Sequence, residues 1–269
     1  MPIAIPLTMR LLLAALVALA APVANAASDI GVVLMHGKQA PERQAALAAL
    51  ADQLQRNGMM VARPRMPWAA GAWERIAVTV EAAHAQIDGH VADLRGRGAR
   101  RIVVAGHSLG ANVALSYAVE RGNLAGVVML GPGHSPAAYY RQMADFRAAI
   151  EKAGQMVNAG QGAQPFAGPD NNQGKTFTVT TTAEVYLSWM SPRRLASMPA
   201  QAPRLPPGIP VLLAIGDKDP SFATAESTIF APAAKHPYSK FVPLQADHAG
   251  VIAAAAGTVA DWLQGLPSQ

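Results

Sequence analysis

Apolar and polar positions along this chain follow two alternating periods. Residues 30–36 (IGVVLMH) form an unbroken apolar run, the pattern of a strand covered on both faces. Over 41–57, Leu47, Leu50, Ala51 and Leu54 recur at helical spacing, with Pro41 suited to the first turn and Gly58 to the position after the last. Residues 59–62 predict a second strand, and 73–94 a long helix that Gly96 and Gly98 end. A third strand over 102–105 leads into a helix over 109–120 that stops before Gly122, and a fourth strand covers 126–130. A fifth, 211–215, is entered through Pro206, Pro207 and Pro210. A sixth, 241–244, precedes a closing helix over 251–266.

Strands that alternate with helices pair in parallel through right-handed crossovers. The expected fold class is α/β: a doubly wound, mainly parallel sheet of about six strands with helices on both faces. Such sheets take ligands beyond the carboxyl ends of their strands. One stretch breaks the rhythm, because about 75 residues separate the fourth and fifth strands, far more than a crossover needs. Within it, 139–157 and 183–190 predict helices, and 176–181 (TFTVTT) a short strand. Residues 159–175, rich in Gly, Gln and Asn, read as a mobile loop. An insertion over about 137–205, at the ligand-binding edge, is expected to act as a lid or cap.

The two ends and the composition narrow the setting. Arg10, the apolar run 11–21 and the small residues Val23, Ala24 and Ala26 have the layout of a secretory signal peptide over 1–26. The working domain is then 27–269, exported to the periplasm or secreted, with no stable membrane anchor. The 269 residues contain no cysteine, which excludes disulfides, thiol catalysis and lipoprotein processing. The formal charge is +5, or +4 once Arg10 is removed, and the basic residues are scattered. Arg100-Arg101 and Arg193-Arg194 are the densest pairs, and neither is interleaved with aromatics, so no nucleic-acid partner is expected.

The chemistry is announced by Gly106-His107-Ser108-Leu109-Gly110, which follows a predicted strand and opens a predicted helix. That context makes the serine a nucleophile elbow: the sharp turn presents its hydroxyl, and the flanking glycines admit close packing. The helix N-terminus behind Ser108 favours developing negative charge. Gly131-Pro132-Gly133 lacks the remainder of a dinucleotide fingerprint, and no cofactor is implied.

With this elbow and this order of elements, the chain resembles the α/β-hydrolase superfamily from Ile30 to Leu266. The resemblance begins at the family's third strand, since 27–30 leave little room for the usual first two. It implies a catalytic triad in the order Ser, acid, His. The serine is Ser108. The acid, just past the fifth strand in Ile215-Gly216-Asp217-Lys218-Asp219, is Asp219, with Asp217 as a turn-shaping competitor and Glu226 as a remote third. The base, after the last strand in Gln245-Ala246-Asp247-His248, is His248. The oxyanion hole is assigned to the backbone N–H groups of Leu109 and of Lys38, which follows the family's His36-Gly37 lead-in. The Lys38 side chain is expected to turn to solvent.

His36, Trp68, His107 and His134 are candidates for the substrate pocket. Two of these histidines without a third ligand make no metal site, and no metal is expected. His84 and His90 fall on different faces of their helix, and Trp73, Trp189 and Trp262 read as packing residues. The resemblance therefore implies an exported serine hydrolase that cleaves an ester of a small-molecule or lipid-like acyl substrate through an acyl-enzyme. A peptidase, thioesterase or polyester depolymerase on the same triad is the alternative within enzymes. A non-catalytic binding protein with a hydrolase fold is the alternative outside them.

Overall fold

A computed structural model describes residues 28–41 and 44–267; the predicted signal segment lies outside the described residues. The main sheet has six strands: β1 (Ile30–Met35), β2 (Met60–Ala62), β3 (Arg101–Ser108), β4 (Gly126–Pro132), β7 (Val211–Gly216) and β8 (Lys240–Leu244). Their order is β2-β1-β3-β4-β7-β8, and every pair is parallel. The sheet is doubly wound, because the chain runs outward from β1 to the β2 edge and then returns across β3 to β8.

Alternation along the strands divides the core into two layers. Val33, Met35, Val104, Met129 and Leu213 face one side, together with α2 (Val80–Gly96) and α3 (Leu109–Arg121). Val32, Leu34, Val103, Leu130 and Leu212 face the other, against α1 (Ala45–Arg56) and the closing helices Val251–Ala254 and Ala256–Gln264. Strands covered on both faces explain the unbroken apolar runs in the sequence. Among the described residues no helix is long and apolar enough to cross a membrane.

Three expectations are corrected. Pro41 does not open α1, which begins at Ala45; the Pro41 carbonyl accepts the Gln44 N–H in the preceding turn. The expected helix over 73–94 is a 3-10 turn, Trp73–Arg75, and a separate α2 capped by Thr79. Between them the carbonyls of Ile76 and Val78 accept hydrogen bonds from the Thr181 hydroxyl and the Trp189 indole, so tertiary partners replace helical ones.

The third correction is the largest. The segment read as a mobile loop carries β5 (Pro165–Asn172), paired antiparallel with β6 (Lys175–Thr182) along its whole length. Gln173 and Gly174 join them with φ of 50° and 82°, as a two-residue hairpin turn requires. Helices α4 (Pro136–Gln142), α5 (Ala144–Asn158) and α6 (Ala183–Met190) flank this hairpin. Phe166 packs on Tyr186 at 4.8 Å between ring centroids, and the Tyr186 hydroxyl donates to the Pro169 carbonyl.

Leu213 is fully buried in β7, between β4 and β8. Leu213→Ala is expected to destabilise the protein by about 2–5 kcal/mol. Urea titration should show this as a lower midpoint with an unchanged slope.

Candidate active site

The carboxyl ends of β3, β4, β7 and β8 bring the predicted residues to one edge of the sheet. Ser108 ends β3 and precedes α3, with φ 55° and ψ −123°. A serine in that region is strained by about 1–3 kcal/mol and must be held there by its surroundings. Two glycines allow the turn to close. A Cβ on Gly106 would lie 2.2 Å from the carbonyl carbon of Gly110, and one on Gly110 would lie 2.7 Å from the His36 carbonyl oxygen. The start of α3 therefore rests directly on the ends of β3 and β1.

The acid and base candidates meet. His248 Nδ1 lies 2.6 Å from Asp219 Oδ2, and the second carboxylate oxygen accepts the Ser221 N–H at 2.8 Å. The Asp219 side chain is 1% exposed and that of His248 17%, so the pair is shielded on the acid side and open on the base side. Asp217 accepts the Ala246 N–H and shapes the turn, as expected of the competitor, and Asp247 accepts the Gly250 N–H instead of facing the site.

The span 131–133 at the end of β4 connects these groups. A Cβ on Gly131 would sit 3.2 Å from Asp219 Oδ2 and 3.4 Å from His248 Nδ1. One on Gly133 would sit 2.1 Å from Ser108 Oγ. The three triad candidates thus pack around one short stretch of backbone, at two glycines whose missing side chains leave them room. Asn112 on α3 holds this stretch: its Nδ2 donates to the carbonyls of His134 (2.6 Å) and Ala196 (2.9 Å). Gly131, Gly133 and Asn112 were not singled out from sequence as site residues.

The loop over 36–40 borders Ser108. A Cβ on Gly37 would lie 3.0 Å from that of Ser108. In this loop the Gln39 N–H is taken by the Trp68 carbonyl at 2.8 Å. Leu109 is the first residue of α3, so its N–H has no acceptor within the helix.

The expected outward turn of Lys38 is contradicted. Its side chain is 3% exposed, and Nζ lies 2.6 Å from Asp170 Oδ2 on β5. Asp170 was not identified from sequence, because it falls in the stretch read as mobile.

The four pocket candidates are all buried. His36 Nε2 accepts the Met66 N–H, and its carbonyl accepts the Trp68 indole N–H at 2.8 Å, so both residues brace the loop instead of forming an open wall. His134 lies between Lys38 and the Trp189 carbonyl. His107 Nε2 donates to the His248 carbonyl at 2.8 Å, and the two rings lie 4.9 Å apart. Two open clefts of about 510 and 530 Å³ lie elsewhere, one beside Asp88 and Arg121 and one beside Gln39 and Asn172; neither is lined by Ser108, Asp219 or His248.

With this geometry established, comparison with known proteins identifies the architecture. No protein-family model matches the sequence, and no curated protein matches it significantly. Solved structures match closely in shape. The monoacylglycerol lipase of Paleococcus ferrophilus superposes with a TM-score of 0.61 at 18% identity, covering 88% of this chain and 95% of that one. A metagenome-derived lipolytic enzyme of the LipS and LipT pair gives 0.60 at 17%, covering 88% and 93%. A highly thermostable carboxyl esterase from Bacillus coagulans gives 0.59 at 13%, covering 88% and 90%. The chain has the α/β-hydrolase fold. Its six parallel strands and flanking helices form a reduced core of that fold.

Burial, first of all, lowers His84, His107 and His134 to about 4. In the unfolded chain a histidine titrates near ~6.5. Between those values the folded state binds fewer protons than the unfolded one, so stability rises with pH. The contribution is complete above about pH 6.5 and is lost as pH falls toward about 4, on the order of 1–3 kcal/mol per histidine. Asp88, held below its ordinary value chiefly by its hydrogen bond to Arg121, acts only below that window. Urea unfolding from pH 7 to pH 4 should show a steadily falling midpoint, and His84→Gln should flatten the slope. A level profile would contradict the burial argument.

Proposed function

We propose that the protein is a serine hydrolase that cleaves carboxylic esters through an acyl-enzyme. The observation that carries this reading is the strained Ser108 at the head of α3 with a His248–Asp219 pair, bonded at 2.6 Å, packed on the same Gly131–Gly133 span. The lipase and esterase activities named for the structural neighbours favour an ester over an amide, and a small lipid-like acyl group as substrate.

In this mechanism Ser108 Oγ attacks the acyl carbon while His248 Nε2 takes its proton. Asp219, bonded at Nδ1, fixes the tautomer that leaves Nε2 free to accept, and it stabilises the imidazolium that forms. The N–H groups of Leu109 and Lys38 hold the oxyanion, each contributing roughly 3 kcal/mol to the transition state. His248 then returns the proton to the leaving alkoxide. Water, deprotonated by the same imidazole, attacks the acyl-enzyme, and Ser108 leaves with a proton from His248.

A fluorophosphonate should add once to the purified protein, on Ser108, as read by intact mass and peptide mapping. Ser108→Ala should abolish the adduct, and Asp219→Asn should slow its formation by about two to four orders of magnitude. Gly133→Ala should also slow it strongly, because the new methyl occupies the space of Ser108 Oγ. A folded wild-type protein that stays unlabelled would overturn the proposal.

Export is proposed on the residue pattern of 1–26 alone. The mature protein recovered outside the cytoplasm should begin at Ala27 by mass. An intact Met1 there would refute cleavage.

A further inference from the structure

We infer that the β5–β6 hairpin is a fixed clamp on the oxyanion loop, and that Asp170 is a positioning residue acting through the Lys38 side chain. The inference rests on the hydrolase reading above. An ammonium has three N–H donors, and Lys38 Nζ has three acceptors: Asp170 Oδ2 at 2.6 Å, the Asn171 carbonyl at 2.9 Å and His134 Nδ1 at 3.0 Å. Two of the three lie on β5. The third lies just past β4, beside the span that contacts Ser108.

The acceptors are themselves fixed. Asp170 is fully buried; its Oδ2 also accepts the Trp73 indole N–H at 2.6 Å, and its Oδ1 accepts the Asn171 N–H at 2.7 Å. His134 uses Nε2–H on the Trp189 carbonyl at 2.9 Å, which leaves the Nδ1 lone pair for Lys38. The ammonium sits 5.1 Å from the centre of the Trp73 ring. One residue on, Asn172 Nδ2 donates to Gln39 Oε1 at 2.8 Å, so the hairpin grips two successive loop residues.

This network has more consequence for geometry than for stability. A buried ion pair contributes little net stability over a well-packed apolar pair, but losing one partner leaves a costly buried charge. A fully satisfied buried network fixes one arrangement of the chain. Here it fixes the residue whose backbone N–H is assigned to the oxyanion. A shift of about 1 Å in such a group can cost about a hundredfold in rate. Thus β5, in the stretch read from sequence as mobile, is bonded to the loop beside Ser108.

Two substitutions test the clamp while leaving the Lys38 backbone N–H in place. Asp170→Asn removes the counter-charge at nearly constant shape. Lys38→Met removes the ammonium and leaves Asp170 bonded to Trp73 and Asn171. Fluorophosphonate labelling of Ser108 and turnover of a p-nitrophenyl ester are measured per folded molecule, well below each variant's melting temperature. Both variants should label and turn over about 10–100-fold more slowly, with KM within about threefold and weaker inhibition by an alkyl boronic acid. If either variant does not fold, the other decides. If neither folds, Trp73→Phe, which deletes only the indole bond to Asp170, decides, with a loss of at least about threefold expected. Wild-type rates in a folded variant with a lowered melting temperature would make the pair a fastening only and overturn the clamp. An unlabelled wild-type protein would instead remove the hydrolase reading on which the clamp depends.

Discussion

Ser108 holds a backbone conformation that serine reaches only under constraint, and the candidate site is arranged around that turn. The constraint is steric contact between the end of β3 and the first turn of α3, where Gly106 meets Gly110 with no space for a Cβ. It holds because β3 is central in the sheet, paired with β1 on one side and β4 on the other. The strain of about 1–3 kcal/mol is small beside the apolar area those strands and α3 bury together. Because α3 also rests on the His36 carbonyl, the loop after β1 is held against the Ser108 turn.

From that fixed turn the remaining groups arrive on separate loops, each tied down by its own polar contacts. Asn112 fastens the segment after β4, the Ser221 N–H and His248 hold Asp219, and Asp170 reaches in from the insertion to Lys38. These contacts are mostly buried, where a hydrogen bond is strong and an unmade one is costly. The apolar core sets where the strands end; the polar contacts set where the loops point.

The strands, and the positions of Ser108, Asp219 and His248 at strand ends, were legible in the sequence because their signals are local. An apolar run, a glycine pair around a serine, and an acid or histidine just after a strand each fit within about ten residues. Of the hairpin, β6 was legible as the short strand over 176–181, but β5 was not. Its buried face consists of Phe166, Gly168 and Asp170, so only one of three inward positions is a large apolar residue and the alternation is masked. Gly168 is there because the Tyr186 ring covers it, and Asp170 because Lys38 neutralises it. Both reasons are tertiary. The Lys38 side chain was misread for the same cause, since its partner lies 132 positions away and a lone lysine gives no sign of a distant carboxylate.

Four histidines, His36, His107, His134 and His248, gather near Ser108 in chain or space, and their surroundings bear on which of them suits the proposed general base. A general base must accept a proton at working pH and must have a ring nitrogen free to do so. His107 adjoins Ser108 in sequence, yet burial holds it at about 4 and its Nε2–H is engaged by the His248 carbonyl. His134 is held at about 4 in the same way, and both its nitrogens are occupied by Lys38 and the Trp189 carbonyl. His36 has its ring nitrogens on Met66 and Gly37. His248 has the Asp219 carboxylate bonded to Nδ1 at 2.6 Å, and its side chain is partly exposed. Its neighbours serve it instead of competing with it: His107, kept neutral, can donate to the His248 carbonyl and hold the ring's own backbone in place. Burial thus does for these histidines what the two glycines do for Ser108, removing the alternatives until one geometry remains.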